Sequence, residues 1–453
     1  MERLNHELPD STTIRELCEE YKRNNVITKE EYEHNRVKRG LRNADGTGVM
    51  AGLTHVCHGY LIADGDKIPD KGELTYRGIN IEDIVRGCDA EDRFGFEEVA
   101  WLLIFGHLPT RSQYEGFSRL LFENRELPEY FPEDMIIKAP SKNIMNKLAR
   151  SVLALYSYDD SPDDLSLENN MRQSISLIAR MPSIMSYAYQ VKRRHFDRES
   201  MFFHPYEPDH ATAEAILNAL RPDRKFTHQE AKLLDLLMVL HAEHGGGNNS
   251  TFTTRVLTSA GTDMYSAIGA AVGSLKGFKH GGANHQVRMM MDDLMAHVER
   301  WDDEDEVEAY LEKILRGEAA DGSGLIYGMG HAIYTLSDPR AVILKERAQC
   351  LAEEKGFGEK LRLYETVERL SPAAFRKVTG KDKVISANVD FYSGLVYEML
   401  GIPEDLFTPM FAVSRIAGWC AHRIEELTTG GRIMRPAYRA LPVDQKYVPL
   451  DER

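Results

Sequence analysis

From about residue 80 to residue 430, apolar positions recur three and four apart, the spacing that gives a helix one buried stripe. The run from Glu97 to Gly106 predicts a helix stopped by its glycine. Stretches 142–158 and 168–194 predict further amphipathic helices, split by Ser161-Pro-Asp-Asp. Thr227-His-Gln-Glu230 is a capping-box sequence, in which a hydroxyl and a carboxylate satisfy orphan N–H groups. Residues 231–240 follow it and are apolar on most faces, so the pattern predicts a buried helix ended by Gly245-Gly-Gly247. The small residues from Ser266 to Gly273 allow another backbone to approach closely. Thr408-Pro409 predicts a hydroxyl cap before a proline at the first helical position. That helix runs through Arg415 and Trp419 to about Leu427 and is closed by Gly430-Gly431. Strand signals are confined to Gly46–Gly78, and residues 1–45 read as a peripheral helix plus linker. The fold class is mainly α, with a small β piece near the N-terminus.

Composition narrows the function. Lys plus Arg number 56 against 71 Asp plus Glu, a formal charge of −15, which argues against a nucleic-acid binder or a polybasic membrane-surface protein. An anionic ligand would have to be met by a few basic residues focused in a cleft. Cys18, Cys57, Cys88, Cys350 and Cys420 are widely spread with no CxxC pair and read as free thiols of a reducing compartment. The N-terminus has no apolar signal region, and the longest apolar run, near Val99–Phe105, is far short of a membrane span. The expected location is cytoplasmic.

Five segments can carry chemistry. His241-Ala-Glu-His244 sets two histidines on one helical face. They can be a metal pair, partners of the helix dipole, or donors to a ligand at a glycine-rich mouth. His280 is bracketed by glycines, whose backbone can take positive φ and come close to a ligand; an incidental surface turn is the alternative. Gly328-Met-Gly-His331 leads into Ser337-Asp-Pro-Arg340, a helix start where Arg340 either meets a bound anion or pairs with Asp338. In Asn388-Val-Asp390, the aspartate either caps the next helix or serves as a base tuned by burial. Arg415, in an apolar helix, and Arg435 suit bidentate clamping of carboxylates, or plain salt bridges.

The joint order of these segments is more specific than any one. LHAEHGGGNNSTF (240–252), GFKHGGAN (277–284), GMGHAIYTLSDPRA (328–341), NVDFYSG (388–394), FAVSRIAGW (411–419) and RIMRPAY (432–438) together resemble the citrate synthase family, Si-type and 2-methylcitrate synthases included. The resemblance extends upstream to Gly72–Gly78 and Phe96–Trp101 and covers roughly residues 48–440. It implies a mainly helical homodimer with a large domain from 46–280 and 396–453 and a smaller inserted domain from 281–395, with 1–45 peripheral. It implies condensation of oxaloacetate with acetyl-CoA, the entry reaction of the tricarboxylic acid cycle, with propionyl-CoA as the alternative acyl donor. No cofactor is tightly bound and no metal is required. Asp390 corresponds to the base, His280 to the partner of the thioester oxygen, and His331 to the residue that polarises the ketone. His244, Arg340 and Arg415 correspond to oxaloacetate ligands, Arg435 to an arginine given by the neighbouring subunit, and Gly328 and Gly330 to CoA contacts.

Two departures concern CoA. The family commonly has a basic residue shortly after the histidine at 331, where this chain reads Ala-Ile-Tyr-Thr, and commonly Pro-Leu where it has Phe278-Lys279. Lys279 or Lys345 is expected to compensate.

Overall fold

The small β piece forms where expected, and a tight hairpin closes it. In the computed structural model, β1 (Cys57–Gly59), β2 (Leu74–Tyr76) and β3 (Ile79–Asn80) make an antiparallel sheet in that order, with Cys57 opposite Tyr76 and Tyr76 opposite Ile79. Arg77 and Gly78 both take positive φ, at 50° and 84°, the two-residue turn whose twist matches its strands. The structure describes residues 16, 18–19, 21–22, 27–35, 37–41, 49–59, 72–330, 337–381, 385–441, 447 and 449–452. Two compact units divide the chain: 1–51 with 61–68, and 52–60 with 69–453. In the first, α1 (Lys29–His34) begins with a capping box at Thr28.

Helices make up most of the second unit. They are α2 (Ile81–Ala90), α3 (Phe96–Phe105), α4 (Arg111–Glu123), α5 (Ile144–Ala154), α6 (Leu167–Lys192), α7 (Thr212–Leu220), α8 (His228–His241), α9 (Asn249–Ser259) and α10 (Met264–Lys276). There follow α11 (Ala283–His297), α12 (Glu304–Leu315), α13 (Pro339–Glu354), α14 (Gly358–Thr379), α15 (Val389–Met399) and α16 (Phe407–Thr429). The mainly α reading holds.

Local signals explain most boundaries. Gly106 ends α3 in the left-handed conformation, at φ 84°, and Gly430 does the same for α16, at φ 69°. The Thr227–Glu230 capping box starts α8, with Glu230 Oε2 accepting the Thr227 N–H at 2.7 Å. Gly269 lets α10 approach α5, since a Cβ there would stand 3.0 Å from Leu153 Cγ. Helix α16 is the hub of the unit, packing against α3, α6, α8, α9 and α10, and Trp419 and Arg415 are among its fully buried side chains. Helix α15 packs against α11 and α13, and α13 also meets α8. These contacts bring the ends of α8, α13 and α15 together beside the middle of α16.

Two expectations are corrected, and one open alternative is decided. Helix α8 ends at His241, ahead of the glycine run, so His244 sits in the turn rather than on the helix. Thr408 is not a cap: a short 3₁₀ turn at Glu404–Leu406 feeds α16 from Phe407, and the Thr408 hydroxyl donates to Gly281 O at 2.8 Å. The cap of α15 is Asn388, whose Oδ1 accepts the Asp390 N–H at 3.0 Å, leaving the Asp390 carboxylate uncommitted to capping. Among the described residues, no helix is long and apolar enough to cross a membrane. None of the five cysteines is in a disulfide.

Candidate active site

Arg415 projects from the middle of α16 and is fully buried. Its Nε donates to His241 O at 2.6 Å, and its guanidinium stacks 4.6 Å from the Phe411 ring centre. Both terminal nitrogens lack a hydrogen-bond partner among the described residues. A buried guanidinium left with donors unmet is costly, and a carboxylate is the group that matches its fork. Burial pushes the guanidinium pKa down, while the nearby Glu243 carboxylate opposes that shift.

Arg340 is treated differently. It is 3 % exposed, and its Nε and Nη2 meet Asp338 Oδ1 and Oδ2 at 3.0 and 2.8 Å. Asp338 also accepts the Arg340 N–H at 3.0 Å, as the cap of α13, and the Val389 N–H at 3.2 Å. One carboxylate therefore joins the starts of α13 and α15. That places the Arg340 charge where it acts on Asp390. Of the two alternatives for Arg340, pairing with Asp338 is observed.

Asp390 follows its cap by two residues and is partly buried. Burial raises its pKa to about 6, against the opposing pull of Arg340. The carboxylate is thus mostly ionised at neutral pH yet basic enough to take a proton. Beside it, Gly330 N–H donates to Ser386 O at 2.7 Å and Asn388 N–H to Gly328 O at 2.9 Å, with Met329 bridged to Ala387. The Asn388 side chain holds Gly330 O at 3.1 Å. Gly328 and Gly330 take φ of 76° and 91°, and a Cβ on Gly328 would strike Val287 and Phe391. His331 lies outside the described residues.

His280 sits in the turn between α10 and α11. Its Nε2 faces the Ser250 N–H at 3.3 Å and the Ser250 Oγ at 3.1 Å. An amide N–H only donates, so Nε2 is the lone-pair nitrogen and the ring proton is on Nδ1. Burial, with Arg415 adding to it, lowers the pKa to about 4, so the ring is neutral at physiological pH. Trp419 Nε1 donates to Ser250 Oγ at 3.2 Å, tying the arrangement to α16. The flanking glycines act by close packing rather than by positive φ: a Cβ on Gly281 would collide with Leu275 O, and one on Gly282 would lie 2.9 Å from Phe278 O.

His244 is buried in the turn after α8. His241 is buried as well, 4.4 Å from the Phe411 ring between ring centres, and burial holds its pKa well below the usual histidine value. No group of three or more metal-ligating side chains occurs among the described residues. Arg435 is exposed in the irregular segment after α16, and no described contact of this chain brings it to the other site residues.

The family model described as citrate synthase, C-terminal domain, matches residues 46–437. The chain belongs to the citrate synthase family. A citrate synthase of Haloferax volcanii is 35% identical over 394 residues, covering 85% of this chain and 94% of that protein. A 2-methylcitrate synthase of Shewanella oneidensis is 32% identical over 381 residues, covering 84% and 92%. The solved ternary complex of carboxymethyl coenzyme A and oxaloacetate with citrate synthase from Thermoplasma acidophilum superposes with a TM-score of 0.73 at 26% identity, covering 92% of this chain and 99% of that one.

Within this citrate synthase-family fold, sequence reasoning passed over Ser250, which fixes the His280 tautomer, and Glu243, which lies inside the His241–His244 segment. A glutamate between two histidines reads as solvated, and only packing reveals its burial. As for the expected CoA contacts, Lys345 pairs with Glu368 at 2.8 Å, and Lys279 Nζ lies 5.7 Å from the centre of its neighbour's ring, Phe278.

Proposed function

We propose that this chain condenses oxaloacetate with acetyl-CoA and water to give citrate and CoA. The observation that carries the reading is the fully buried Arg415, with two unmet donors beside a carboxylate of raised pKa and a neutral histidine. Oxaloacetate supplies carboxylates for Arg415, Arg340 and His244. Asp390 then removes a methyl proton from the thioester, a poor carbon acid that needs help. His280 gives that help as a neutral donor through Nδ1–H to the thioester oxygen, which becomes the enolate oxygen. The enolate carbon forms the new C–C bond at the ketone carbon, and His331 protonates the resulting alkoxide. Water then cleaves the citryl thioester, and CoA leaves as its thiol. The positive field of the arginines serves these anions without a metal.

The remaining features belong to the same reading. Residues 281–395 form the smaller domain that closes over the substrates, and Arg435 reaches the site of a second subunit in a homodimer. Gly328 and Gly330 give CoA a close approach to backbone, with Lys279 or Lys345 near its phosphates. The free cysteines support a cytoplasmic setting. The 2-methylcitrate synthase relative favours a second reading, in which propionyl-CoA is the donor. One methylene changes binding by only ~1–3 kcal/mol, and the reacting groups would be the same.

The test is thiol release from acetyl-CoA and from propionyl-CoA in the presence of oxaloacetate. Faster release from acetyl-CoA is expected. Preference for propionyl-CoA selects the second reading, and no release from either ester overturns both.

A further inference from the structure

Three buried ionisable side chains that take no part in the proposed chemistry stand in a row behind His244. His422 Nε2, from α16, lies 3.0 Å from Glu243 Oε1. His422 Nδ1 lies 3.0 Å from Arg255 Nη1 of α9. A guanidinium only donates, so His422 Nδ1 accepts and its Nε2 proton goes to Glu243. The same Glu243 oxygen accepts the Gly245 N–H at 2.5 Å, and the Glu243 carbonyl, at 3.2 Å, shares the Tyr76 hydroxyl with Val239 O, at 2.9 Å. Glu243 thereby grips the chain on both sides of His244.

The far end is anchored too. Arg255 meets Glu425 and Glu426 at 2.9 Å each and donates to Leu53 O at 3.2 Å, while Glu425 accepts the His55 N–H at 2.7 Å. Helix α16 leaves room for the row: one turn before His422 is Gly418, where any Cβ would collide with the Glu243 carboxylate. Arg255, His422 and Glu243 are each at most 8 % exposed. Burying them costs free energy that apolar side chains would not, so stability alone is a weak reason for their presence. Glu243 Oε2 has no hydrogen-bond partner among the described residues, and Glu243 is the foremost charge acting on Arg415.

We propose that Arg255, His422 and Glu243 are positioning residues: a relay that holds the His244 turn against Arg415 and sets the affinity of that half of the site for a dicarboxylate. Through Leu53 and His55, the relay links the segment ahead of β1 to that affinity. The choice of oxaloacetate as the dicarboxylate rests on the proposed function.

The experiment compares full-length wild type, His422→Ala and His422→Gln by calorimetric oxaloacetate binding, steady-state kinetics and thermal melting. Alanine takes one hydrogen bond from each neighbour and breaks the link between them, so the oxaloacetate Kd and KM should rise roughly tenfold or more. KM for acetyl-CoA and kcat at saturating oxaloacetate should stay within about threefold of wild type. Glutamine can accept from Arg255 and donate to Glu243, and it should recover most of the lost affinity. A folded His422→Ala with unchanged oxaloacetate Kd overturns the relay, as does a glutamine variant no better than alanine. If the alanine variant does not fold, Arg255→Lys, which keeps the charge but loses the fork, decides: unchanged oxaloacetate Kd there overturns the relay as well. A wild-type chain that binds oxaloacetate without releasing CoA contradicts the proposed function alone, and the calorimetric comparison still decides the relay.

Discussion

Replacing Asp390 by asparagine should abolish turnover and stabilise the fold, and the stabilisation should depend on pH in a defined direction. Burial lifts the Asp390 pKa from 3.8 to about 6. Between those values the native state holds a proton that the unfolded chain has lost, so wild-type stability falls as pH rises through this window. At 1.36 kcal/mol per pH unit, the full cost above pH 6 is about 3 kcal/mol, and about half of it is already present at pH 5. The amide of the Asp390→Asn variant does not titrate, so the variant escapes this cost. Whatever constant difference the amide introduces, the variant should gain about 1.5 kcal/mol more over wild type at pH 8 than at pH 5. Denaturant melts of both proteins at the two pH values, at one fixed protein concentration, measure that increment. Thiol release from acetyl-CoA on the same samples should fall by about a thousandfold or more, since the base is gone. A stability difference that is the same at both pH values would refute the burial argument. Near-normal turnover would refute the assignment of Asp390 as the base.

Other changes separate the parts of the site. Arg415→Lys replaces a planar fork by a point charge and should raise the oxaloacetate KM by roughly tenfold or more, with a much smaller change in the acetyl-CoA KM; steady-state kinetics with each substrate varied would show it. Gly418→Ala puts a methyl group into the Glu243 carboxylate and should cost about 1–3 kcal/mol in a denaturant melt, with a weaker oxaloacetate Kd in calorimetry. Lys279→Ala should raise the acetyl-CoA KM and leave the oxaloacetate KM alone; an unchanged acetyl-CoA KM would remove Lys279 from the CoA contacts. In wild type, kcat/KM should decline as pH falls below about 6, following protonation of Asp390, and a flat profile from pH 8 to 5 would contradict that.

The sequence was most legible where a local signal has no competitor. The Thr227–Glu230 box and Gly106 mark helix ends because each satisfies backbone groups within its own turn, and Gly430 marks one through its left-handed conformation. Legibility failed where a distant partner decides. Thr408 has the right neighbour to be a cap, but its hydroxyl serves Gly281 O, 127 residues away in sequence. Asn388 and Asp390 compete for one cap, and the asparagine takes it, which frees the carboxylate. His280, Arg340, Asp390 and Arg415 could be picked out as chemical types. Of their environments, the Asp338 partner of Arg340, two residues away, was legible as one of two alternatives, but Ser250 and Glu243 were not, because they come to His280 and Arg415 only through packing.

Those environments distinguish two arginines that look equivalent in sequence. Arg340 gives Nε and Nη2 to Asp338, so part of its fork is already committed and it keeps a fixed pose. Arg415 commits only Nε, to a backbone carbonyl, and holds two donors unmet in the interior. A chain of charge −15 has little long-range attraction to offer a dianion, so binding has to come from such local, desolvated donors. Under the proposed function, the unmet donors would make Arg415 the main source of new hydrogen bonds on binding. The Asp338 pair makes Arg340 chiefly a fixed charge that holds down the pKa of Asp390, and under the proposed function it would orient the substrate. Lysine at 415 should therefore weaken oxaloacetate binding through lost hydrogen bonds. Lysine at 340 would instead release Asp338, loosen the joined starts of α13 and α15, and change kcat together with affinity.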